Sequence, residues 1–168
     1  MKRILLILAI LIVALLTFSS QKSVEITKQA TSSASLTSEF ARVTRVIDGD
    51  TVEIEGGRHV RYIGVDTPEF ARETKPQECF AKEASELNAS LVSGGTVRLV
   101  SDVSDTDEYG RFLRYVYAGD VFVNEALVRQ GAARATPIRP DVTFSSLFYA
   151  AQQEAQTNNR GLWVGCPH

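Results

Sequence analysis

Apolar positions along the chain change period several times, and each change marks an element. "ARVTRVI", residues 41–47, sets Val43 and Val46 among polar neighbours. Val52 and Ile54, then Val60 and Tyr62, alternate with polar residues on either side of Gly56-Gly57. Alternation around a Gly-Gly pair predicts a hairpin, so three strands are expected within residues 41–65. From Cys79 the period becomes helical, with Phe80, Ala84, Leu87 and Leu91 on one face and Ser93-Gly94-Gly95 as the stop. "TVRLVSD" (96–102) alternates again and predicts a fourth strand. "FLRYVYAGDVFV" (112–123) predicts a fifth, with a turn at Gly119-Asp120. "NEALVRQG" predicts a short helix with Asn124 as N-cap and Gly131 as stop. A third helix is predicted from Phe144, with Phe144, Leu147, Ala151 and Ala155 on its buried face and Asn158-Asn159 at its end.

The order is three strands, helix, two strands, helix, helix. It predicts a mainly β fold with α, a five-stranded barrel of the oligonucleotide-binding (OB) type plus three helices. A ferredoxin-like sandwich would begin strand–helix–strand, which this chain does not.

The N-terminus is patterned differently. Lys2 and Arg3 precede an unbroken apolar run from Ile4 to Leu16, followed by Ser19 and Ser20. A short basic region before an apolar stretch predicts an export signal over residues 1–20. The run is short for a membrane span, which takes roughly 17–25 apolar residues. Two readings stay open: a cleaved signal peptide, or an uncleaved anchor tethering the chain to a membrane through residues 4–18. No cysteine follows the run, which argues against a lipidated terminus. Residues 21–38 are rich in Ser and Thr without Gly or Pro, the composition of a polar linker. The folded domain is expected over 39–168. In an exported chain, secreted or periplasmic, two cysteines predict a Cys79–Cys166 bridge. The long loop it closes corresponds to about 4–5 kcal/mol in the chain-entropy account.

Composition, with 44% hydrophobic and 23% charged residues, suits a domain that buries a core. Lys2 and Arg3 are the only charges in residues 1–20, so removing the leader takes the net charge from −2 to −4. An acidic protein is no general polyanion binder, because non-specific affinity for nucleic acid comes from basic surface. Chemistry on nucleic acid would need a local basic site or a metal.

Three segments could supply both. "IDGDTVEI" brings Asp48 and Asp50, "RYIGVDTPE" brings Arg61, Asp66, Thr67 and Glu69, and "DEYGRFLRY" brings Asp107, Tyr109 and Arg111. Asp50 and Asp66 each sit where a strand meets a loop, and the Thr67 carbonyl is the next oxygen along. Hard divalent cations take such oxygens. Gly49 is expected to let the chain bend so that Asp50 points at the ion. Glu69 is close enough in sequence to act on a water at the metal. Arg61 and Arg111 supply the opposite sign, since a guanidinium binds phosphate bidentately. Alone, Asp-Gly-Asp is an ordinary turn. An EF-hand is excluded because Glu53 occupies the position that needs Gly. An aspartic protease is excluded because Val52 and Pro68 follow the two Asp-Thr pairs.

Together, in this order, the segments resemble the staphylococcal (micrococcal) nuclease family, the thermonucleases. "IDGDTV", "R…VDTPE", "YGR" and "VNEALVRQG" all match, and the resemblance runs from about residue 41 to 163. It implies Ca²⁺ held by Asp50, Asp66 and the Thr67 carbonyl, with Asp48 beside them. It implies Glu69 positioning or activating the attacking water, and Arg61 and Arg111 gripping the scissile phosphate. The implied activity is endonucleolytic hydrolysis of DNA and RNA, single strands favoured, to 3′-phosphate products by a monomer. Two departures stand out. Family members that bind nucleotides tightly have tyrosines after the second helix, whereas "RATPIRPDV" (134–142) has no aromatic, with Arg139 as a conceivable stacking plane. The staphylococcal enzyme is also strongly basic. These departures motivate an alternative, a catalytically silent OB module that binds nucleic acid or a protein partner.

Overall fold

Strand β1, Ser38–Val46, bends between two neighbours in the computed structural model, which describes residues 37–166. Its first half pairs antiparallel with β5 (Thr96–Val100), and its second half with β2 (Thr51–Ile54). The register shifts between Val43 and Arg45, at the corner where the strand changes partner. Such irregularities increase local twist and let one strand serve two faces. β2 turns at Gly56-Gly57 into β3 (Arg58–Tyr62). β6 (Phe112–Ala118) pairs with β5 and, in parallel, with β3. The cycle β3-β2-β1-β5-β6 is therefore closed, the five-stranded barrel that the alternation predicts. β4 (Val65–Asp66) pairs with β8 (Arg134–Ala135), and β7 (Val121–Phe122) extends the sheet beside β6.

Helices α1 (Ala81–Leu91), α2 (Val123–Arg129) and α3 (Ser145–Thr157) cover the barrel, and a single turn, α4 (Leu162–Gly165), follows. The core joins inward-facing Val52, Ile54, Val60, Tyr62, Leu99 and Val116 with Leu127 and Phe148 from the helices. Each such side chain contributes roughly 1.5–3 kcal/mol when fully buried. Cys79 and Cys166 are bonded, with 5.8 Å between their Cα atoms.

Two local expectations change. Asn124 is not an N-cap: α2 starts at Val123 directly from β7, and Asn124 is fully buried. Its side chain accepts from the Val116 N–H at 2.8 Å and donates to the Ile63 carbonyl at 2.9 Å, bolting α2 to the barrel wall. The buried face of α3 carries Phe148, Ala151 and Ala155, while Leu147 is exposed, because α3 is rotated toward Phe148. Past Asn158-Asn159 it is Leu162 that is buried; Trp163 is half-buried, with the Arg134 guanidinium over its ring.

The expected leader and nearly all of the expected linker, residues 1–36, lie outside the described residues. Among the described residues no helix is long and apolar enough to cross a membrane.

Candidate active site

The Asp48–Asp50 turn is built by backbone before any ligand is considered. The N–H groups of Ile47 and Asp48 both reach the Thr51 carbonyl, at 2.9 and 3.3 Å. Asp48 Oδ1 accepts the Asp50 N–H at 3.1 Å, a side chain satisfying its own turn. Gly49 has a different role from the expected one. Its backbone is not in the left-handed region; a Cβ there would lie 2.6–2.8 Å from the Thr67 side chain. Gly49 is required because the two acidic segments touch at that point.

Asp50 is buried at the start of β2, 3% exposed. Its Oδ2 accepts from the Thr67 N–H (2.8 Å) and hydroxyl (3.1 Å), and its Oδ1 accepts from the Thr51 hydroxyl (3.2 Å). Arg61, on β3, lies between the two acidic segments. Its Nε is 3.2 Å from Asp50 Oδ1, and its Nη2 donates to Asp66 Oδ1 at 2.9 Å. Its Nη1 donates to the Tyr62 and Val65 carbonyls. Burial pushes the Asp50 carboxyl up to about 7; Asp48 and Asp66 push the same way, against Arg61 and the Thr67 N–H. Removing a carboxylate from water disfavours its charged form. Asp50 is thus a buried acid held above the usual carboxylate range in spite of the neighbouring Arg61. Asp50 and Asp66 meet around one guanidinium, and carboxylate oxygens are the kind of ligand a hard divalent cation takes. Among the described residues no three His, Cys, Asp or Glu side chains converge as a metal cage.

Arg111 is set by its own loop. Asp107 Oδ1 accepts the N–H groups of Tyr109 and Arg111, each at 2.9 Å, and Oδ2 accepts from Arg111 Nε at 2.7 Å. Burial raises the Asp107 carboxyl, but the hydrogen bonds from Arg111, its charge and the Tyr109 N–H outweigh it and hold the group below the usual carboxylate range. With Nε committed, the two Nη groups of Arg111 form the free end of the fork. Arg61 and Arg111 line one open cleft of about 340 Å³, with Asp107, Ile138 and Arg139 also on its wall. A phosphate between two arginines beside a cation-seeking carboxylate pair is the chemistry this arrangement admits.

Asp48, Asp50, Arg61, Asp66 and Thr67 are thus brought into one cluster, and Arg111 shares a cleft with it. Glu69 stands apart. Its carboxylate is ion-paired with Arg72 at 2.8 Å and lines a separate recess with Phe70, Lys75 and Glu78. Two residues without an assigned role in the sequence also shape the site. Asp107 orients Arg111, and its signal was legible: Asp followed three residues later by Gly is a turn signature. Asn88, on the buried face of α1, donates to the Asp48 carbonyl at 3.0 Å and accepts from the Tyr62 hydroxyl at 2.9 Å. A polar residue in an otherwise apolar helical stripe was its only trace.

The chain matches the family model described as "staphylococcal nuclease homologue" over residues 59–165. It is 38% identical over 125 residues to the thermonuclease of Staphylococcus hyicus, covering 73% of this chain and 74% of that protein. It is likewise 38% identical over 135 residues to the thermonuclease of Staphylococcus intermedius, covering 79% and 80%. Identity to endonuclease YncB of Bacillus subtilis (strain 168) is 36% over 124 residues, 71% of this chain and 59% of that protein.

Proposed function

The chain belongs to the staphylococcal nuclease family and is a nuclease, and from that premise we propose that it is an exported, calcium-dependent endonuclease. Its substrates are DNA and RNA, preferentially single-stranded, and its products carry 3′-phosphates. The observation that carries the reading is the double engagement of Arg61: it lines the cleft shared with Arg111 and touches both Asp50 and Asp66.

Asp50, Asp66 and the Thr67 carbonyl would hold Ca²⁺, and Asp48 would support them by fixing the Asp50 backbone. A cation held there would supply positive charge to offset that of the phosphate. Arg61 and Arg111 hold the scissile phosphate and stabilise the charge that develops on it. Arg61 uses Nε for Asp50, Nη1 for two carbonyls and Nη2 for Asp66. Most of its fork is therefore committed, and phosphate binding requires it to loosen from the carboxylates. Glu69 orients the attacking water or accepts its proton. To do so it must exchange Arg72 for the water, and such contacts commonly form only with substrate in place. Arg139, on the cleft wall, offers a plane for a base where tyrosines are missing. Export follows from the basic and apolar residues 1–20, and the domain acts as a monomer on a polar linker.

Glu69→Gln and Arg111→Ala test these roles on single-stranded DNA. Each is expected to lose about 100-fold or more in kcat, the usual scale for one transition-state contact, with circular dichroism unchanged. Activity within a few-fold of the parent in either variant removes that residue from the mechanism.

A further inference from the structure

We propose that the Cys79–Cys166 disulfide and Glu78 are positioning residues for the segment carrying Glu69, so that the oxidation state of the pair sets the turnover rate. The proposal rests on the role of Glu69 given above.

The segment from Glu69 to Glu78 is closed at its feet. The Glu78 N–H donates to the Glu69 carbonyl at 2.9 Å, and Glu78 Oε2 accepts the Glu69 N–H at 3.2 Å. Midway, Arg72 and Lys75 exchange backbone hydrogen bonds at 2.9 and 3.1 Å. Little apolar burial holds the rest, because residues 71–78 are all exposed. Segments held by a few solvent-exposed hydrogen bonds open locally at small free-energy cost. The next residue is Cys79, and its partner Cys166 follows a well-anchored turn. There Leu162 is buried and donates its N–H to the Gly131 carbonyl at 2.8 Å. The bridge thus ties the weakly held segment to a firm point of the domain.

A second route leads from the bridge to the same site. Phe80, directly after Cys79, has φ 74°, a left-handed conformation unfavourable for a residue with a Cβ. Its ring lies against Gly165, next to Cys166. Phe80 opens α1, and α1 delivers Asn88 to the Asp48 carbonyl. Loosening the bridge therefore acts on both sides of Cys79, toward Glu69 through Glu78 and toward the Asp48–Asp50 turn through α1.

Cys79 is exposed, which gives a reductant access. A dithiol donates two electrons and two protons; the S–S bond becomes two thiols, and the dithiol closes its own disulfide. The test compares oxidised protein, the same folded protein after dithiol in calcium buffer, and the Cys79→Ser/Cys166→Ser variant. Trypsin reports the segment directly, since Arg72 is its one cleavable site, Lys75 being followed by Pro76. Reduction is expected to speed cleavage after Arg72 about tenfold or more, below the melting midpoint of the reduced form. It is expected to lower kcat about fivefold or more while KM moves less than about twofold. The double variant should match the reduced protein and ignore dithiol. If that variant does not fold, the reduced parent carries the test. Unchanged cleavage after Arg72, or global unfolding on reduction, overturns the positioning role of the bridge. Faster cleavage with unchanged kcat instead overturns the role of Glu69, and the rate control with it.

Discussion

Asp50 carries the largest electrostatic cost among the site residues, and the cost has a sign. Its folded-state pKa is raised from 3.8 to about 7, chiefly by burial. A raised carboxyl favours the folded state fully below its unfolded value, and that contribution is lost as pH rises through about 7. At pH 8, with chelator, Asp50→Asn should therefore be more stable than the parent by roughly 1–3 kcal/mol. The gain should vanish by pH 4, and the same variant should be nearly inactive. Thermal melts at the two pH values check this; a variant that melts lower at pH 8 contradicts it. How far residues were legible depends on what each one touches. The Asp50–Asp66 pairing through Arg61 could be expected from opposite charges at neighbouring strand ends. The reason for Gly49 could not, because it lies in the Thr67 side chain, 18 residues away in sequence. The pairing of Glu69 with Arg72 was equally hidden, since nothing in "PEFAR" says which way the carboxylate turns.

Elements place these residues. β2 and β3 set Asp50 and Arg61 side by side, with Thr51 opposite Arg61 in the register. β4 brings Asp66 to the same edge, where it pairs with β8. Period alone marked the five barrel strands and three helices, because one buried face per element imposes a repeat of 2 or 3.6. The two-residue strands β4 and β8 left no such trace, being too short to show a period. Asn124 misled for a related reason: an N-cap and a buried bracket use the same amide, and only tertiary contacts distinguish them. Because Asn124 satisfies backbone groups of β6 and of the turn after β3 inside the core, Asn124→Ala should cost about 2–3 kcal/mol. Urea titration is the measurement; a loss below about 0.5 kcal/mol would mean that the bracket is replaceable.

At the scale of the molecule, an acidic domain presents two arginines in one cleft, one of them paired with the buried Asp50 and the exposed Asp66. With a net charge of −2, or −4 without residues 1–20, the protein has little long-range attraction for a polyanion. Productive binding must come from local groups, and on the proposed reading the cation is one of them: without it, Asp50 and Asp66 would repel the phosphate and retain Arg61. Calcium dependence is tested by digesting single-stranded DNA with Ca²⁺ and with chelator and identifying the product ends. Cleavage with Ca²⁺ to 3′-phosphate ends is expected, with a loss of about 100-fold or more with chelator. Equal cleavage under both conditions, or 3′-hydroxyl products, would contradict it.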